Sequence, residues 1–330
     1  MKKARPTEFA RLWRYSVGFY GVWTIHVGRE MGLLEKLASV PVSSRQLALA
    51  TGLHPPAVQA WCSAAVSYGL VGEKNDGKLY LRPGVKALLL DRKNPYYLGG
   101  QFSYLALRSL DYGHLTDLFK FGKPLEMSSS TTSLRAIEQA TDWDHYAFLA
   151  AVRRDQRLHR LLKHGCEVLD VGCGTASMLA KMKEVYPKCR FTGIDPSEKA
   201  VAIARKKVAP IRIIKAEGES LKFEKEFDIV YLGESLYATK DKQRVVSNCW
   251  RALKPGGTIA IVEGLLPESS NSNKLRKSTD RLILGMQLDF ALQGHSFMTK
   301  REMKKLLLRK FNKIRFEHLG GSVYLVIATR

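Results

Sequence analysis

The 330-residue chain is 45% hydrophobic, enough to bury a sizeable core in two domains or one large one. Its net charge of +22 falls mostly in residues 151–330; it either attracts anionic partners such as RNA or an acidic membrane surface, or marks a lysine-rich solvated surface. No apolar run approaches the roughly 18 residues of a membrane span, the start MKKARPTEFARLWRYS lacks a secretory-signal core, and five scattered cysteines without Cys-x-x-Cys argue against a disulfide frame or a metal site, so a reduced, cytoplasmic protein is expected.

In chain order, EFARLWRYSVGFYGVWTIHVGREMGLLEKLASV is long, apolar and aromatic, more than a single surface helix requires. PVSSRQLALATGL predicts a helix starting at Ser43 or Ser44 and stopping at Gly52. HPPAVQAWCSAAVSYGL predicts another, with Pro55 and Pro56 tolerated in its first turn. LVGEKNDGKLYLRPG alternates around Asn75-Asp76-Gly77, a hairpin signal. Together these form a winged-helix pattern over about residues 1–105. The helix that would enter a DNA groove, His54 to Leu70, contains no Lys, Arg, Asp or Glu, which speaks against DNA binding. Residues 106–150 are expected to be a helical connection, with SSSTTS at 128–133 as a loop inside it.

From residue 151 the pattern changes. The apolar run Glu167 to Val171 predicts a buried strand, and VLDVGCGTAS continues through two glycines into a helical pattern from Ala176 to Tyr186. Strand, glycine turn and helix start present backbone N–H groups to a ligand at the carboxyl end of a doubly wound sheet. A Cβ at Gly172 or Gly174 would hold that ligand away. Asp195 follows at the end of another apolar strand, FTGID, where a carboxylate reaches ribose hydroxyls. The nicotinamide fingerprint needs a small residue three positions after the second glycine; Ser177 stands there, and Ala176 comes one early. Asp170, two residues before the first glycine, repels a pyrophosphate and suits a nucleoside with a positive tail.

These residues resemble the class I S-adenosylmethionine-dependent methyltransferases. Asp170, Gly172, Gly174 and Ala176 match the first motif, with Cys173 as a small residue inside the turn, and Asp195-Pro196 matches the acid ending strand two. AEGESLKF sets Glu217 opposite the adenine amino group with Gly218 beside it. FDIVYLGESL resembles the fourth strand and the loop passing the methyl donor, which brings Glu234 to the mouth of that strand. LKPGGTIAIVEG resembles the turn into strand five. The resemblance implies an α/β fold with a Rossmann-like seven-stranded sheet over about residues 151–330, ending in an antiparallel hairpin of FNKIRFEHL and SVYLVIATR around Gly320-Gly321. GREMGLLEKLA, SSRQLALATGL and LVGEKNDGKLYLRPGVKALLL are similar to the dimerisation domain of two-domain small-molecule O-methyltransferases. That similarity implies a homodimer whose N-terminal helices help close each pocket, with S-adenosyl-L-methionine as cofactor and no metal.

The departure lies at the chemistry. The plant-type enzymes of this family carry a His-Asp-Trp after strand four, where this chain has Tyr237 in LYATKDKQ. A neutral Tyr is a poor base, its reference pKa being about 10. His295, in LQGHSFMT between an apolar helix and a helix starting at Thr299, is the alternative. If neither serves, in-line approach alone supplies much of the rate. Three functions follow. The first is a small-molecule methyltransferase for an aromatic, quinone- or polyketide-like acceptor, with oxygen as the favoured target over nitrogen or carbon; Phe19, Tyr20, Trp23, Tyr237 and Phe297 suit a flat substrate. The second is an RNA methyltransferase using the basic catalytic half, and the third a winged-helix regulator that senses the cofactor.

Overall fold

The computed structural model describes residues 6–94, 96–125, 131–268 and 278–330. The chain divides into two compact units, Met1–Leu110 with Arg135–Trp143, and Asp111–Leu134 with Asp144–Arg330. Residues 106–150 are therefore shared between the two units.

The first unit begins with α1 (Pro6–Glu30) and α2 (Leu33–Ser39), followed by α3 (Ser44–Thr51) and α4 (Pro55–Ser67). The start of α3 is set by a capping box: Ser43 accepts from the Gln46 N–H, and the Gln46 side chain accepts from the Ser43 N–H. Gly52, in the left-handed region at φ 67°, ends it. The hairpin follows as β1 (Val71–Glu73) and β2 (Leu79–Leu81), antiparallel with Val71 opposite Leu81. Leu33, Leu34, Leu47, Val58, Trp61, Ala65 and Val71 form one buried cluster under it. The uncharged α4 thus spends its apolar residues on this core. Next come α5 (Pro83–Leu89) and α6 (Gly99–Ser109). The partly buried Arg29 ties α1 to α6, donating to Ser103 Oγ at 2.7 Å and to Tyr97 Oη at 2.9 Å.

Then come α7 (Leu115–Phe121), α8 (Thr131–Ala140), α9 (Asp142–Arg154) and α10 (Gln156–His164). The SSSTTS loop expected at 128–133 is corrected in its second half, because Thr131 to Ser133 open α8; Ser128 to Ser130 lie outside the described residues.

The second unit is built on a sheet. Its strands and helices alternate as β3 (Glu167–Val171), α11 (Ser177–Val185), β4 (Arg190–Asp195), α12 (Glu198–Lys207), β5 (Arg212–Lys215), β6 (Phe227–Gly233), α13 (Lys242–Ala252) and β7 (Leu253–Leu266). After α14 (Ser278–Leu292) come β8 (Met298–Thr299), α15 (Lys300–Leu307), β9 (Asn312–Gly320) and β10 (Val323–Thr329). The strand order is β5-β4-β3-β6-β7-β10-β9. β3 to β7 are parallel; β10 pairs antiparallel with β9 in the expected hairpin, and the structure places it between β7 and β9. The short β8 adds a parallel pairing to the end of β7 that the sequence did not suggest.

Burial alternates along the central strands. Val168, Ile229, Tyr231, Ala260, Val262, Leu325 and Ile327 face one apolar cluster, and Leu169, Val230, Leu232, Ile259, Ile261 and Val326 the other. Both faces are covered, which is why these strands read as continuous apolar runs. From β3 the order proceeds one way through β4 and β5, and from β6 the other way through β7. The crevice at the carboxyl ends of β3 and β6 is the switch point where such sheets bind ligands.

Candidate active site

The glycine turn closes on β4. The N–H groups of Gly172 and Cys173 both donate to the Ile194 carbonyl, at 2.8 and 2.9 Å. Gly174 N–H donates to Asp195 Oδ2 and Ser197 N–H to Asp195 Oδ1, each at 2.9 Å. Asp195 therefore fixes both its own turn and the glycine turn, while its oxygens retain acceptor capacity for hydroxyl donors. Gly172 has φ 82°, and a Cβ there would lie 2.5 Å from the Ser235 Cβ. The turns after β3 and β6 thus meet at the switch point. Gly174 has φ 53° and open space where a Cβ would be, so its backbone borders the crevice. Cys173 is buried, and burial with the nearby Asp170 raises its thiol.

Asp170 is buried, and desolvation with the neighbouring Asp195 pushes its carboxyl up to about 8. Burial raises Asp195 too, against its two backbone donors. Pro196 follows, exposed, at the start of the next turn. Asp195 is paired with Lys215 across β4 and β5, and the Ala216 N–H donates to the Asp195 carbonyl, which brings Glu217 alongside. Glu217 is exposed; Gly218 is buried within 3.3 Å of Val171 and Val245 methyls when given a Cβ. The buried Asn248 on α13 holds this loop by donating to the carbonyls of Gly218 and Glu219, at 2.9 and 2.8 Å.

Beside this turn lies a second constellation at the ends of β6 and β7. Glu234 sits in the left-handed region at φ 47°, with its N–H donating to the Val262 carbonyl at 2.8 Å. Burial and the carboxyls of Asp144 and Glu263 push its carboxyl well above the usual range. Glu263 is fully buried: Oε1 accepts from the Tyr237 N–H at 3.3 Å, and Oε2 has no partner among the described residues. Asp144 on α9 is buried, and desolvation raises it as well. Tyr231 Oη is buried among these acids without a partner among the described residues. Two buried carboxyls, the half-buried Glu234 and an unmatched phenol brought together are costly unless protonated or met by a cation.

Tyr237 and His295 are brought together. The Tyr237 ring stacks on Phe290 at 4.4 Å, contacts Phe297 at 5.4 Å, and meets the His295 ring edge-on at 6.2 Å. Lys242 Nζ donates to the carbonyls of Tyr237 and Thr239, at 3.0 and 3.1 Å, fixing the turn. His295 is half-buried; desolvation first, and the Lys242 charge second, lower its pKa, so the ring is neutral at pH 7. Its turn is clamped by Gln287, whose Oε1 accepts from the Phe297 N–H at 2.8 Å. Phe19 and Tyr20, by contrast, are more than half exposed on α1.

The sequence reading omitted Glu263, Asp144, Asn248 and Gln287. Glu263 was visible as the acid interrupting the apolar run TIAIV, and an acid in a strand buried on both faces asks for a function. Asp144 lies in a stretch read as connection, and nothing local marks Asn248 or Gln287.

A parallel sheet in this order, with a glycine turn and an acid at its switch point, defines a doubly wound nucleoside-binding enzyme domain. Residues 169–261 match the family model described as a methyltransferase domain. Over those residues the chain carries a methyltransferase domain, and its fold is that of the class I methyltransferases. A demethylmenaquinone methyltransferase of Chlorobaculum tepidum is 33% identical over 110 residues, 33% of this chain and 45% of that protein. One of Listeria monocytogenes is 34% identical over 122 residues, 35% of this chain and 51% of that protein. The chain thus spans about half the length of these curated relatives. Human N-acetylserotonin methyltransferase, solved in complex with SAM, superposes with a TM-score of 0.77 at 18% identity over 100% of this chain and 99% of that one. At that identity the likeness is one of fold, and it extends through the N-terminal unit. Among the described residues no helix is long and apolar enough to cross a membrane, and no group of three or more His, Cys, Asp or Glu could hold a metal ion.

Proposed function

We propose that the whole chain is a small-molecule methyltransferase that uses S-adenosyl-L-methionine, with oxygen of a flat phenol- or quinol-like acceptor as the favoured target. The cofactor supplies an electrophilic methyl group on a cationic sulfur. Asp195 accepts from its ribose hydroxyls, with Pro196 shaping the turn, and Glu217 and Gly218 border its adenine. Gly172, Cys173 and Gly174 give it backbone approach, and Asp170 with Glu234 lies toward its positive end. The observation carrying this reading is the meeting of two environments at one sheet edge: buried acids that a cation relieves, and the Tyr237–Phe290–Phe297 cluster against which a flat acceptor packs. Supporting a small-molecule acceptor are the names of the relatives, a demethylmenaquinone methyltransferase and an N-acetylserotonin methyltransferase.

Tyr237 and His295 act on the acceptor side. Neutral His295 is able to take a hydroxyl proton, while Tyr237 orders the wall. Positioning carries most of the rate in this reading, because a neutral Tyr237 is a poor base at pH 7. The test is turnover of a panel of phenols, quinols and amines with S-adenosylmethionine, read as S-adenosylhomocysteine release and product mass. Methylation of a phenolic or quinol oxygen is expected. Product methylated only on carbon or nitrogen corrects the target atom, and absence of turnover with all three classes overturns the acceptor assignment.

A further inference from the structure

Away from the cofactor turn, at the amino ends of the strands, two thiols face each other. Cys166 immediately precedes β3 and Cys189 immediately precedes β4. The first registered pair of these parallel strands is Glu167 with Arg190, and the Arg190 N–H donates to the Cys166 carbonyl at 3.0 Å. The two cysteines are therefore neighbours one step before the ladder begins. Adjacent strands lie about 4.8 Å apart, within the roughly 4.4–6.8 Å that a disulfide spans between Cα atoms. The sulfurs are already 3.7 Å apart, and both thiols are free.

Their surroundings differ in a useful way. Cys166 is half-buried, while Cys189 is 1% exposed. Cys189 is also held in place: its thiol donates to the Leu162 carbonyl at 3.1 Å, and its own carbonyl accepts from Lys183 Nζ at 3.2 Å.

We propose that Cys166 and Cys189 are a reversible redox pair that closes to a disulfide under a hydroperoxide. The Cys166 sulfur attacks the terminal peroxide oxygen and becomes a sulfenic acid as the O–O bond breaks, releasing water (from hydrogen peroxide) or the alcohol. Cys189 then attacks that sulfur, the S–S bond forms, and the sulfenic oxygen leaves as a second water. Two electrons pass from the thiols to the peroxide, and both thiol protons end in the released molecules. Six residues at about 3.3 Å each separate Cys166 from Gly172, roughly 20 Å. The bond therefore joins strand ends remote from the cofactor turn, and protects Cys166 from deeper oxidation.

Peptide mapping of the full chain after mild hydrogen peroxide tests this. The expected result is a peptide containing Cys166 joined to one containing Cys189, lighter by two hydrogens, and restored by a dithiol. Cys166→Ser, at a half-buried site, should lose the linked species while keeping the native near-ultraviolet spectrum; Cys189→Ala should lose it and leave Cys166 as sulfinic acid. Full alkylation of both thiols after peroxide, or sulfinic acid at Cys166 in the unsubstituted chain with Cys189 free, would overturn the proposal.

Discussion

At the scale of single residues, Asp170 has the most legible electrostatics. Its carboxyl is pushed up to about 8 by burial and by Asp195, against about 3.9 in an unfolded chain. A carboxyl raised on folding contributes stability below the unfolded value and loses it as pH rises through the folded value. Between pH 6 and 8 the cofactor-free protein should therefore lose roughly 1–3 kcal/mol at this site. Asp170→Asn removes the titration, so its stability relative to the unsubstituted chain should rise by that amount over the same window. Denaturant unfolding at both pH values, with a constant difference between the two proteins, would show that Asp170 does not carry the shift. Catalysis belongs to this scale too. If positioning dominates, Tyr237→Phe and His295→Ala should each cost less than about tenfold, mostly in KM. A loss of about 10²–10⁴ in kcat for His295→Ala, with one limb of the pH profile gone, would instead make His295 the general base.

At the scale of elements, the glycine turn and its strands were the most readable part of the chain. Strand Glu167–Val171, the helix after Ala176, the capped starts at Ser43 and Thr299, and the terminal hairpin follow from local pattern, because period, caps and turn residues are local causes. The acid cluster was not readable. Asp144, Glu234 and Glu263 come from three elements far apart in sequence, and only the sheet order brings them together. The short β8 escaped for a similar reason: two residues pair with β7 because a loop delivers them there. Gly172 tests the turn. Its positive φ and the 2.5 Å approach of Ser235 Cβ leave no room for a methyl group. Gly172→Ala should destabilise by about 1–3 kcal/mol and weaken cofactor binding. Unchanged melting and affinity would mean that the turns after β3 and β6 are not packed as described.

At the scale of the whole molecule, the amino-terminal part of α1, through Tyr20, stands out. Phe9, Leu12, Trp13, Tyr15, Phe19 and Tyr20 are each more than half exposed. An apolar patch of that extent is rare on a monomer. We propose a homodimer built on this helix, and light scattering at micromolar concentration should give twice the chain mass. Replacing Trp13 and Phe19 with Glu should return monomer with the helical content kept; a monomer before any substitution would contradict the assignment. The uncharged α4, buried on its own unit's core, fits this scaffold role better than a groove-reading one.

Whether S-adenosylmethionine occupies the turn that Asp195 holds is read most directly by calorimetric titration. Charge-assisted hydrogen bonds to a carboxylate contribute roughly 1.5–3 kcal/mol. The unsubstituted chain should bind S-adenosylmethionine with one site per protomer, and Asp195→Ala should bind it about ten- to a hundredfold more weakly while retaining its native circular dichroism. Equal affinity in the two proteins, or no binding by the unsubstituted chain, would contradict the placement of the cofactor.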